Sequence, residues 1–198
     1  RVLKDCVTLS FRFNVISRLG THELEKRFNE AALGLQSGSV TRASGVRGLL
    51  QAVYVDDDQF RADFEVFRQS ISSKGKKIIR YILCELERQN SGHDLSWSTA
   101  SATIEHILPD HLDDHWATIF SEDEHDRYVE RLGNYALLEH GKNRGIGQLP
   151  FADKSLAFET SQYGLTSELS AFVEWSPTII NERQKRLAKL ATSVWRFP

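Results

Sequence analysis

The chain has 198 residues, 40% hydrophobic and 26% charged, which is enough to bury one compact core or two small ones and excludes the disordered class. Its formal net charge of −2 excludes a global positive field for nucleic acid, so an anionic partner must be met by a local patch. No apolar run approaches the roughly 18 residues of a membrane span, and the opening RVLKDCVTLSFRF lacks the pattern of a secretory leader, so a cytoplasmic location is expected. The sequence starts at Arg1 and contains no methionine, which points to a piece of a longer protein. Cys6 and Cys84 are too few and too far apart for a zinc knuckle or a disulfide framework, and free buried thiols are expected.

From Val2 to Gln89 apolar residues recur at intervals of three and four, as in Leu24, Phe28, Ala31 and Leu35, then Phe60, Phe64 and Phe67, then Ile78, Ile79, Ile82, Leu83 and Leu86. Five short helices fit this spacing. They are separated by LGTHE, SGSVTRASG, YVDDD and SSKGK, clusters of turn and capping residues. The polar stretch RQNSGHDLSWSTAS follows, and a boundary near residue 100 is expected, with a helical support region over 1–100 and a site-bearing domain over 101–198.

TIEHILPDH, residues 103–111, then reads as a short strand that ends at Pro109 and carries Glu105 and His106 side by side, on opposite faces. DDHWATIF and EDEHDRYVERL read as helices, NYALL as a strand after Gly133, and EHGKNRGIGQLP as a polar turn. Helices run to the end, the last opening on Ser176 and Pro177. The expected fold is therefore α+β and predominantly helical.

The chemistry sits in the second half. His111 and His115 in HLDDH have the spacing of two zinc ligands on one helix face, but Leu112 stands where a zinc protease has its glutamate base, and the acids of this stretch suit a helix start. His22, His93 and His125 lie in polar, surface-like text. KGKKIIR, with Lys74, Lys76 and Lys77, and RQKRLAK, with Arg183, Lys185 and Arg186, read as solvated faces that can also meet phosphates. His106, Asn134 and Asn143 differ from these. In the order strand, strand, helix, a hairpin can bring His106 opposite Asn134, and a helix folded back across its end can bring Asn143 next to the histidine, the ββα-metal arrangement.

The pattern IEHILP…W…RLGNYALLE…KN…F…K resembles the carboxy-terminal nuclease domain of GmrSD-type restriction proteins, a branch of the HNH (His-Me finger) nucleases. The likeness runs from FRFNVISR through RYILCELE to the final Trp195. Tyr135 and Ala136 stand where the family more often has Leu and Thr, and Asp110 where Gln or Glu is commoner. The resemblance implies a DNA endonuclease of phage defence that uses Mg²⁺ or Mn²⁺, with His106 as the base that deprotonates water, Glu105 and Asn143 as metal ligands, and Asn134 as a brace for the His106 loop. A hard divalent ion suits oxygen ligands of this kind. Because strand neighbours diverge, the ion is expected at the strand's edge. His140, Arg144 and Lys154 are candidate phosphate contacts. The family's relatives recognise modified phage DNA through an amino-terminal sensor and nucleotide-hydrolysing domain. This sequence has no Gly-rich phosphate loop, so no nucleotide cofactor is expected. The alternatives are a DNA-binding or docking module with a vestigial or autoinhibited site, and more remotely a zinc hydrolase.

Overall fold

A computed structural model describes residues 2–92, 95–98 and 101–197. His93, read above as surface-like, lies outside them. In the first part of the chain, α1 (Val2–Ser10) continues into a π-helical turn (Phe11–Ile16), followed by α2 (Thr21–Gln36), α3 (Ala43–Leu50), α4 (Asp57–Val66) and α5 (Ser73–Ser91). These are the five helices that the spacing predicts. Strand β1 (Ala102–His106), α6 (Glu122–Tyr128), β2 (Tyr135–Glu139), α7 (His140–Ile146), α8 (Phe151–Glu159), the short α9 (Gly164–Ser167) and α10 (Pro177–Val194) complete the chain. The fold is predominantly helical α+β.

Contacts divide the chain into two compact units, residues 1–65 with 191–198, and residues 66–190. The division falls ahead of α5 rather than near residue 100, because α5 packs against β1, β2 and α9. In the first unit Arg12 is fully buried. Its guanidinium donates to the carbonyls of Trp195 and Val55 at 2.6 and 2.9 Å and to Asp57 Oδ1 at 2.6 Å, and lies over the Phe60 ring at 4.4 Å. Leu9, Ala31, Val46, Leu50 and Phe197 form an apolar cluster of this unit. Cys6 is half-buried and Cys84 is buried, with a thiol pushed up to about 11 by desolvation.

The second unit is built around the hairpin. β1 and β2 pair antiparallel with Ala102 opposite Glu139 and His106 opposite Tyr135, and Ile107 N–H donating to the Asn134 carbonyl (3.0 Å) carries the pairing one step further. All of β2 except Glu139 is buried. Leu138 and Ala136 join Ile107, Leu108, Trp116, Phe158, Trp175 and Ile180 in the core of this unit. Gly133 has a steric reason to be glycine, since a Cβ there would lie 2.5 Å from the Ile180 carbonyl of α10.

Candidate active site

The hairpin and α7 form a ββα unit, and its pieces are fixed locally. Extended β-branched and apolar residues make β1, Pro109 ends it, and α7 starts immediately after β2, so the helix folds back beside the strand. The turn after β1 is held by Asn134, which has no exposed surface. Its Oδ1 accepts from Leu108 N–H (2.7 Å) and Trp175 Nε1–H (3.0 Å), and its Nδ2 donates to the Leu108 and Val129 carbonyls (2.9 and 3.0 Å). The side chain thus uses every hydrogen bond an amide can make.

Glu105, His106 and Asn143 line one cavity of about 240 Å³, together with Asp110, His111 and Gln148. Glu105 and His106 are strand neighbours whose side chains diverge, yet both border this cavity because it lies where β1 ends beside α7. The His106 ring is half-buried and meets Tyr135 edge-on, with centroids 4.8 Å apart. Burial pulls its pKa down to about 4, opposed by the Asp110 carboxylate and helped by Lys154 and His125, so the imidazole is neutral at physiological pH. A neutral imidazole is a proton acceptor.

Glu105 is buried, which raises its pKa, and Lys154 is buried completely, which lowers its own. Lys154 Nζ lies 2.6 Å from Glu105 Oε1 and donates to the His106 carbonyl at 2.8 Å. The attraction of the pair opposes both shifts, so the charged pair is the state we assign. Lys154, expected at a phosphate, is therefore tied inside the protein. Glu105 Oε2 has no hydrogen-bond partner among the described residues. Asn143 Nδ2 is buried without any partner. Such orphans are rare, and the amide's nitrogen and oxygen are interchangeable by a flip of the side chain, so Asn143 has an unused polar atom to offer a ligand.

A divalent ion suits this donor set. A carboxylate oxygen and an amide oxygen bordering one cavity leave most positions to water and phosphate, as Mg²⁺ prefers. Among the described residues no group of three or more His, Cys, Asp or Glu could hold a metal by itself.

The remaining candidates are dispersed. His140 and Arg144 are exposed on α7 and do not line the cavity. The helix expected over 113–120 is replaced by a turn at 114–115 and the short helical turn Trp116–Thr118, with Asp113 Oδ1 accepting from Trp116 N–H (2.9 Å). His111 borders the cavity and His115 does not, so they share no helix face. His125, expected at the surface, is buried with Nε2 2.8 Å from the Pro109 carbonyl. Arg183 also departs from expectation. It is buried and donates to the Gly133 and Tyr135 carbonyls at 2.7 Å, while Arg186 pairs with Glu168. Lys185 alone of that trio is exposed without a partner among the described residues. Asp110 and His111 were missed as cavity residues; only their nearness to His106 past the Pro109 bend signals them.

The family model described as GmrSD restriction endonucleases, C-terminal domain, matches residues 54–190, and the chain belongs to that family. Membership gives it an effector role in a restriction endonuclease. The match starts at Tyr54, whereas the resemblance read from the sequence began earlier, at FRFNVISR. No curated protein matches the chain. No helix of the described residues is long and apolar enough to cross a membrane.

Proposed function

We propose that the domain is a DNA endonuclease of the HNH type, assisted by Mg²⁺ or Mn²⁺, that hydrolyses phosphodiester bonds at the cavity beside His106. The observation that carries this reading is the convergence of Glu105, His106 and an Asn143 amide with an unpartnered atom on one small cavity.

On this reading His106, kept neutral by burial, takes the proton of the attacking water. Asn134 does not touch substrate; by fixing the Leu108 backbone from both sides it holds the turn that sets the His106 position. Glu105 and Asn143 supply the oxygens for the ion. The ion, when bound, neutralises charge that grows on the phosphate. Lys154 orients Glu105 through Oε1 and leaves Oε2 free of protein partners among the described residues. His140 and Arg144, exposed four residues apart on α7, are the proposed contacts to the DNA backbone. Recognition of modified phage DNA and nucleotide hydrolysis belong, on the same reading, to a sensor domain outside this sequence, and the protein acts in the cytoplasm.

One observation favours a second reading, a docking module whose nuclease site is held inactive: the carboxylate wanted for the metal is already paired with Lys154. Plasmid cleavage separates the two. Wild type with Mg²⁺ or Mn²⁺ should nick or cut, and His106→Ala should lower the rate about 10² to 10⁴ fold, the usual contribution of a general base, with the fold unchanged. Undiminished cleavage by His106→Ala rejects the assignment. Absence of cleavage by wild type with every ion tried supports the docking module.

A further inference from the structure

The start of α5 and the loop ahead of β1 enclose a second concavity, of about 380 Å³, lined by Ser73, Lys76, Lys77, Arg80, Trp97 and Ser98. Lys76 and Lys77 are exposed and have no acidic partner among the described residues. Arg80 Nε is buried without a hydrogen-bond partner. The helix they start from is 19 residues long, so its N-terminal dipole adds to the same positive field. The helix can begin so abruptly because residue 75 is glycine: a Cβ there would fall 2.0 Å from the Ser70 carbonyl.

Trp97 sets this basic patch apart from an ordinary solvated face. It is 42% exposed, whereas Trp116, Trp175 and Trp195 are buried. Among the described residues its ring contact is a T-shaped approach to Tyr81, with centroids 6.3 Å apart and an interplanar angle of 89°. An indole left in water beside three cations offers what a nucleotide uses, a flat surface for a base and charges for its phosphates. Duplex DNA satisfies only the cations, because its bases are stacked on one another. An unpaired base satisfies both.

We infer that Lys76, Lys77, Arg80 and Trp97 form a subsite for single-stranded DNA, with the base stacked on Trp97 and the flanking phosphates held by the cations. This rests on DNA being the substrate of the His106 site. The two places are compatible with one strand. Only nine residues of chain lead from Trp97 to His106, a reach of at most about 32 Å, within about the 34 Å of one duplex turn. The subsite thus lies within about one duplex turn of the proposed cleavage point and favours DNA that is frayed, gapped or already nicked.

The test is a titration of the whole protein, in EDTA so that nothing is cut, with a mixed-sequence single-stranded oligodeoxynucleotide and with the blunt duplex of equal length. Intrinsic tryptophan fluorescence reports the subsite directly, since the other three indoles are buried. The single strand should quench the signal and bind more tightly than the duplex. Trp97→Ala should abolish the quench and weaken single-strand binding about 5- to 150-fold, the range of one base stack, with little change for the duplex, while Trp97→Phe should keep most of the affinity. Replacing Lys76 and Lys77 by Glu should weaken both ligands and flatten the single-strand salt dependence by at least about 1.4 in log–log slope. Single-strand affinity unchanged in Trp97→Ala, or equal losses for both ligands, overturns the subsite. If plasmid cleavage that depends on His106 persists in that case, the nuclease reading stands without it; wild type that neither binds DNA nor cleaves plasmid removes both.

Discussion

Two asparagines of the same motif live in opposite circumstances, Asn134 at the base of the hairpin and Asn143 on α7. Asn134 is sealed in the core with all its hydrogen bonds made, two accepted and two donated. Asn143 borders the cavity with its Nδ2 buried and unpaired. A side chain whose capacity is exhausted by its own protein holds structure and has nothing left for a ligand. One that carries an orphaned atom costs stability where it stands, and its presence makes sense if a ligand completes it. On the proposed reading the same residue type in the same sequence motif divides into a brace and a binding group, and the difference between them lies in their hydrogen bonds.

The largest expected effect tests the brace. Asn134→Ala strands the Leu108 N–H, the Trp175 indole N–H and two carbonyls in the core. At about 1–3 kcal/mol for each unsatisfied group, the loss is roughly 5 kcal/mol or more. That is comparable to the whole stability of a small domain. Urea unfolding of the variant should show a much earlier transition or no native baseline. A variant that unfolds like wild type would show that the brace is redundant and would end the contrast between the two residues.

Asn143→Ala should do the reverse. No hydrogen bond is lost, so stability should stay within about 0.5 kcal/mol of wild type, as for substitutions away from structural contacts. Binding of Mn²⁺ and cleavage should weaken together by at least about 10- to 100-fold, the loss seen when support for a metal ligand is removed. Asn143→Asp, which keeps an oxygen at the same place, should retain part of both. Calorimetric titration with Mn²⁺ beside a melting curve decides the matter: a normal titration with a lowered melt would make Asn143 another brace.

How much of this was legible beforehand depended on what each signal encodes. Five helices before residue 92 and the two strands were readable because burial leaves a period in the sequence and turn residues mark the breaks. The antiparallel hairpin and the shared cavity of Glu105, His106 and Asn143 followed the order of the motif, but the register lies one residue from expectation: His106 faces Tyr135, and Asn134 meets Ile107. The buried fates of Lys154, Arg183 and His125 were not readable. Each is a polar residue in polar text, and what buries it is a partner far away in sequence: Glu105 for Lys154, the Gly133 and Tyr135 carbonyls for Arg183, the Pro109 carbonyl for His125. Local pattern cannot report such pairings. Trp97 escaped notice for the opposite reason, since nothing in RQNSGHDLSWSTAS distinguishes an exposed indole from one that turns inward.

The smallest effect at neutral pH concerns His106, and it sharpens the contrast from the side of the proposed base. Burial sets its pKa near 4, whereas in the unfolded chain it titrates near about 6.5. Between these values the unfolded chain takes up a proton that the folded chain refuses, so His106 withdraws stability as pH falls through that window and has no such effect above it. At pH 7 an ordinary histidine is already about three-quarters neutral, so little rate is gained there. At pH 5.5 an ordinary histidine is only about one-tenth neutral, whereas the buried His106 remains almost wholly in its neutral, proton-accepting form. The acid limb of kcat/KM, measured with the ion saturating, should lie well below 6.5, and an NMR titration of the imidazole in metal-free protein should agree with it. The Asp110 carboxylate opposes the shift, so Asp110→Asn should move both limbs lower still. A wild-type limb that stays at about 6.5 would mean that water or the Asp110 carboxylate stabilises the imidazolium as well as bulk solvent does, and the cavity would then be too open for burial to govern its base.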